Sequence, residues 1–106
     1  MRVLLDECVP VQIRNALGGH EVTTVQQMGW SGIGNGELLA LAEQAGFGLF
    51  IVADKNLRYQ QKLAGRRMAI LELWTNHRPT LEKHFAQIST AAAKPAPGGY
   101  VVLDAG

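Results

Sequence analysis

Three positions carry carboxylates suited to metal-assisted phosphodiester chemistry: Asp6, Glu37 and Asp54. Each of the two aspartates follows an apolar run, Val3-Leu4-Leu5 in one case and Leu49-Phe50-Ile51-Val52-Ala53 in the other. Uncharged, β-branched runs of this kind read as strands buried on both faces, the habit of a parallel sheet. An acid just past such a strand falls at its carboxyl end, where open α/β sheets place their ligand crevices. Glu37 opens a separate helical stretch, where the helix dipole favours an acid whether or not it does chemistry. Three carboxylates in one crevice would repel one another unless a cation lay between them. An all-oxygen ligand set suits Mg2+ or Mn2+, and such an ion can activate water against a phosphodiester.

The elements that must position these groups alternate along the chain. After the first strand, Pro10 suits the opening turn of a helix carrying Val11, Ile13 and Leu17, closed by Gly18-Gly19. A β-branched strand follows over 20–25, and then a glycine-rich connection over 28–34 that contains Trp30. Asn35 reads as the N-cap of a helix over 37–45, stopped by Gly46. The strand ending at Asp54 precedes a helix over about 57–64, then a strand over 67–73 and a single amphipathic helix over 79–93. Leu81, Phe85 and Ile88 are its core-facing positions. The domain therefore spans 1–93, and 94–106 form a Pro/Gly linker with Tyr100-Val101-Val102-Leu103 as a last edge strand. The alternation predicts an α/β protein with a mainly parallel sheet of four or five strands. If the third strand lies beside the first and the second on the other flank, the order reverses between them, and Asp6 and Asp54 face that switch point. Alternation along the strand turns Asp6 and Glu7 to opposite sides, so one of them points into the crevice.

Composition bounds the rest. A chain of 106 residues, 47% hydrophobic and 18% charged, has the length of one globular domain. A net charge of +1 gives no global field for nucleic acid, so any basic surface is local. Lys55, Arg58 and Lys62 lie at near-helical spacing after the third strand, where they would hold phosphates while Tyr59 or Trp30 stacks on a base. A solvated helix face accounts for the same charges. Trp30 reads equally as a lid or a core plug. Cys8 is the lone cysteine, which fits a reducing, cytoplasmic setting, and it reads as a small buried apolar residue. His20, His77 and His84 lack metal-ligand spacing and read as residues that cap or pack locally, while Asn76-His77-Arg78 forms a polar loop near the crevice. The sequence shows neither a signal peptide nor an apolar run long enough to cross a bilayer.

The motifs L-L-D-E-C-V-P, G-H-E-V, N-G-E-L-L-A-L-A and V-A-D-K-N-L, in that order, resemble the PIN-like proteins of the domain-of-unknown-function 5615 family, relatives of toxin-type PIN ribonucleases. The resemblance runs from Met1 to about Ile88. It implies a three-layer α/β/α sandwich and a magnesium-dependent nuclease pocket in which Asp6, Glu37 and Asp54 hold the metal and Asn56 completes the site. RNA is the implied substrate and a protein antitoxin the implied partner; a homodimer stays open. The chain departs from the pattern at Asn56, where PIN nucleases usually carry a fourth acid, and at Asn35, where the family often has aspartate. An asparagine carbonyl still ligates a metal but adds no charge. Two rival classes remain. One is a phosphoacceptor receiver, with Asp6-Glu7, Asp54 and Thr75 in place, but with no lysine after the last strand and no role for Glu37. The other is an interaction protein that keeps the fold without catalysis.

Overall fold

The computed structural model describes residues 1–53 and 67–104, with Asn35 described by its backbone alone. Among the described residues, five strands form one sheet: β1 (Arg2–Leu5), β2 (Glu21–Thr24), β3 (Leu49–Val52), β4 (Ala69–Leu73) and β5 (Tyr100–Leu103). Their order is β2-β1-β3-β4-β5, and every neighbouring pair is parallel. The order reverses between β1 and β3, because the third strand lies beside the first and the second on its other flank. β3 is buried along its whole length, which is why its run carries no polar residue.

Alternation along the strands sorts the core into two layers. Val3, Leu5, Leu49, Ile51, Leu71 and Leu73 face one side, where Ile13, Leu17, Leu81, Ile88 and Ala92 cover them. Leu4, Phe50, Val52 and Ile70 face the other, beneath Leu38, Leu39, Ala42 and Phe47. The architecture is thus the expected three-layer α/β/α sandwich.

Local chemistry alters several expected elements. The helix after Pro10 is a 3-10 turn over Val11–Ala16. Helix α1 runs Asn35–Gln44, and its N-cap is Gly34, so Asn35 is the first helical residue and not the cap. Gly46, with φ +87°, ends that helix in the left-handed conformation that favours glycine. Arg2 lies over the Phe47 ring at 4.3 Å and donates to the Ala45 carbonyl, tying the start of β1 to the end of α1. The single helix expected over 79–93 is two: α2 (Arg78–Glu82) and α3 (Phe85–Ala93). The break falls at His84, whose Nδ1 bonds the Thr80 carbonyl at 2.8 Å and whose ring meets Trp74 edge-on at 5.1 Å. Leu81 and Ile88 are fully buried and Phe85 packs against the same core. β5 is an integral strand in register with β4, so the linker over 94–99 joins parts of one sheet. The helix expected over 57–64 lies outside the described residues.

Candidate functional site

The switch point is built at the carboxyl ends of β1 and β3. The Asp6 amide donates to the Ile51 carbonyl at 3.0 Å, extending the β1–β3 ladder one residue past β1. The chain then turns, with the Val9 amide returning to the Asp6 carbonyl at 3.1 Å. That turn leaves Asp6 partly exposed on the rim. Its Oδ1 accepts the Glu7 amide at 2.9 Å, and its Oδ2 lies 3.5 Å from Cys8 Sγ. Cys8 is exposed, contrary to its reading as a buried residue, because the turn carries it to the rim while Val9 fills the core. Enough protein surrounds the sulfur to disfavour a thiolate: burial pushes the Cys8 thiol above its ordinary value, the Asp6 carboxylate adds to this, and a hydrogen bond with the Ala53 backbone opposes it. Cys8 thus touches both strand ends.

Glu7, the acid left aside in the sequence argument, has a structural task. Its Oε1 accepts the Gly32 amide at 3.0 Å and fastens the glycine-rich connection to the rim. Gly32 has φ +82°, a conformation that suits glycine and presents that amide. The signal was present in the sequence as an acid beside a strand end and a glycine run, but their pairing spans 25 positions. Trp30, in the same connection, is a half-buried plug. It meets Phe47 edge-on at 6.2 Å and packs on the α1-side core.

Glu37 occupies the first turn of α1, as expected, and its side chain is exposed. Among the described residues, no three His, Cys, Asp or Glu side chains gather into a group that could hold a metal. The structure therefore brings Asp6 and Cys8 together but does not join Glu37 to them in such a group. Asp54 and Asn56, with Lys55, Arg58, Tyr59 and Lys62, lie outside the described residues. Asp6 suits a hard cation by chemistry, being a carboxylate on an accessible rim. The described part of the donor set is the carboxylates of Asp6 and Glu37.

The loop after β4 shares this carboxyl edge of the sheet. His77 there bonds Thr80 Oγ1 through Nδ1 at 2.9 Å, and its amide donates to Thr75 Oγ1 at 3.1 Å. His77 and His84 thus act locally, as expected. The His20 Nδ1 is buried with no hydrogen-bond partner among the described residues.

One acid was missed entirely. Glu72, on β4, is only 1% exposed and accepts the Tyr100 hydroxyl of β5 at 2.7 Å. It stands in register with Val52, the last residue of β3. An apolar groove of about 410 Å³, lined by Ala86, Gln87, Thr90, Ala91 and Leu103, lies between α3 and β5, away from Asp6 and its neighbours. Among the described residues no helix is long and apolar enough to cross a membrane.

No family model matches the chain, and no curated protein or solved structure matches it either.

Proposed function

We propose that this protein is a PIN-like ribonuclease of the toxin type, hydrolysing RNA phosphodiesters with Mg2+ or Mn2+, and that a protein antitoxin is its partner. The observation that carries the reading is the position of Asp6. Its carboxylate stands on the rim at the carboxyl ends of β1 and β3, and Cys8 beside it reaches the Ala53 backbone, the residue that precedes Asp54 in sequence. Open α/β sheets bind ligands at that point. In this reading Asp6, Glu37 and Asp54 are the ligands and Asn56 is a neutral fourth donor. The metal, when bound, polarises the scissile phosphate and lowers the pKa of the attacking water. Asp6 supplies negative charge, with Oδ1 steadied by the Glu7 amide. Glu7 holds the glycine-rich connection against the rim. Lys55, Arg58 and Lys62 are assigned to RNA phosphates. The test is cleavage of a labelled single-stranded RNA in Mn2+ by the wild-type chain and by Asp6→Asn. Cleavage lost in the variant supports the reading, and no cleavage by the wild type under any divalent ion sinks it.

The strand order favours a second reading. β2-β1-β3-β4-β5 is also the order of flavodoxin-like and receiver domains. In that case Asp54 would accept a phosphoryl group from a small phosphodonor. The stretch Tyr100–Asp104 supplies no lysine at the end of β5, which weighs against it. Incorporation of phosphate that Asp54→Asn removes would establish the receiver and displace the nuclease. An interaction protein without catalysis is what remains if both assays stay silent.

A further inference from the structure

Charge is segregated between the two layers that cover the sheet. The layer containing α1, over 25–47, carries Glu37 and Glu43 and neither lysine nor arginine. The opposite layer, built from the 3-10 turn, α2 and α3, spans 9–20 and 75–94. It carries Arg14, Arg78, Lys83 and Lys94 against Glu82 alone. All four cations are exposed. A surface that serves only to keep a fold in solution intersperses the two signs. A chain with a net charge of +1 has no general excess of cations to spread, so their collection on one layer is local.

Three of these cations belong to elements that start from the candidate site. The chain leaves Asp6 through the turn to Val9 and enters the 3-10 turn that holds Arg14. α2 follows the loop after β4, and Arg78 is its first residue. The two elements pack against each other, with Ile13 and Leu81 in the core beneath them. Lys83 closes α2, about 8 Å along its axis from Arg78. Lys94, by contrast, closes α3 and leads into β5, at the amino edge of the sheet. Glu82 Oε1 holds Arg78 Nε at 3.2 Å, but both side chains are about half exposed, so water weakens the bridge. The guanidinium has five N–H donors, enough for a second anion. We propose that Arg14, Arg78 and Lys83 form a docking surface for the sugar-phosphate backbone of single-stranded RNA, leading the strand to the carboxyl edge beside Asp6. The identity of the polyanion rests on the nuclease reading, and the surface itself on the placement of charge. Lysine and arginine pair with phosphates without reading bases, so this binding is indifferent to sequence and sensitive to salt.

Fluorescence anisotropy of a labelled single-stranded RNA, titrated with the full chain in EDTA over a series of salt concentrations, tests it. Substituting Arg14→Gln, Arg78→Gln and Lys83→Gln together should weaken binding about tenfold or more at low salt. It should also flatten the dependence of log Kd on log salt by about two, at roughly 0.7 for each phosphate released, with an unchanged circular dichroism spectrum. Glu82→Gln frees Arg78 and should tighten binding. Lys94→Gln makes the same charge change at the far edge of the layer and should leave affinity and slope as they are. A wild type that binds no RNA at low salt overturns the proposal, as does a triple variant with the wild-type slope. So does a Lys94→Gln loss equal to that of each docking residue, which would mean diffuse charge. Polyglutamate that displaces the RNA at equal charge concentration would also overturn it, in favour of an acidic protein. EDTA separates binding from catalysis: RNA that is bound in EDTA but left uncut in Mn2+ supports the surface and counts against the nuclease reading.

Discussion

Asp6 and Glu72 are both acids carried by strands of one sheet, and they sit in opposite environments. Asp6 lies one residue past the end of β1, partly in water, with an amide and a thiol against its two oxygens. Glu72 lies within β4, sealed from water, and holds the hydroxyl of the neighbouring strand. A carboxylate at a rim can change partners at little cost, whereas a buried one must keep those it has. Position along the strand, not residue type, therefore separates an acid fit for chemistry from one fit for anchoring.

The sharpest way to break that contrast is to substitute both. Asp6→Asn should lower metal-dependent RNA cleavage by about a thousandfold or more while the melting curve stays close to wild type, because the asparagine carbonyl can still accept the Glu7 amide. Glu72→Ala should do the reverse, costing about 2–3 kcal/mol in urea unfolding, since it opens a void and removes an acceptor of the Tyr100 hydroxyl. Tyr100→Phe should cost about 1–2 kcal/mol and leave cleavage unchanged. Were Glu72→Ala to abolish cleavage in a fully folded protein, the anchoring role would be wrong.

Smaller effects sharpen the rim itself. Glu7→Ala removes the acceptor of the Gly32 amide, and should cost no more than about 1 kcal/mol while speeding hydrogen exchange at that amide. Cys8 gives a pH signature. Burial, and after it the Asp6 carboxylate, raise its thiol, so alkylation by iodoacetamide should keep climbing with pH beyond the point where a free peptide thiol levels off. Asp6→Asn should shift that climb to lower pH. The folded thiol ionises at higher pH than the unfolded one. Its contribution to stability is therefore complete below the unfolded pKa and disappears as the pH rises through the folded value.

The fold was legible wherever apolar runs were long enough to declare burial. β1 and β3 show it, but the reversal between them depended on β3 lying beside β1, a choice that connectivity leaves open. Boundaries set by single contacts were not legible. The break between α2 and α3 depends on a histidine ring reaching back to Thr80 and sideways to Trp74, and apolar periodicity runs straight through it. Glu72 was hidden for a related reason. An acid inside an apolar run reads as a residue turned to water, and its partner Tyr100 is 28 positions away. Of the candidate site, Asp6 could be read from its place after a buried strand. Cys8 could not, because its exposure depends on where β1 stops. The convergence of Glu37 with Asp6 was an inference from charge repulsion, and the structure places Glu37 in the first turn of α1 with its side chain exposed.

An all-parallel ladder also constrains how the molecule comes into being. Arg2 meets Glu21, Val3 meets Leu49, and Ile70 meets Tyr100, so no strand finds its neighbour through a tight hairpin. Each pairing must wait for a long segment of chain to close before it gains anything. Refolding from denaturant should accordingly be slow for a polypeptide of this length, with both faces of the sheet acquiring protection in one concerted step.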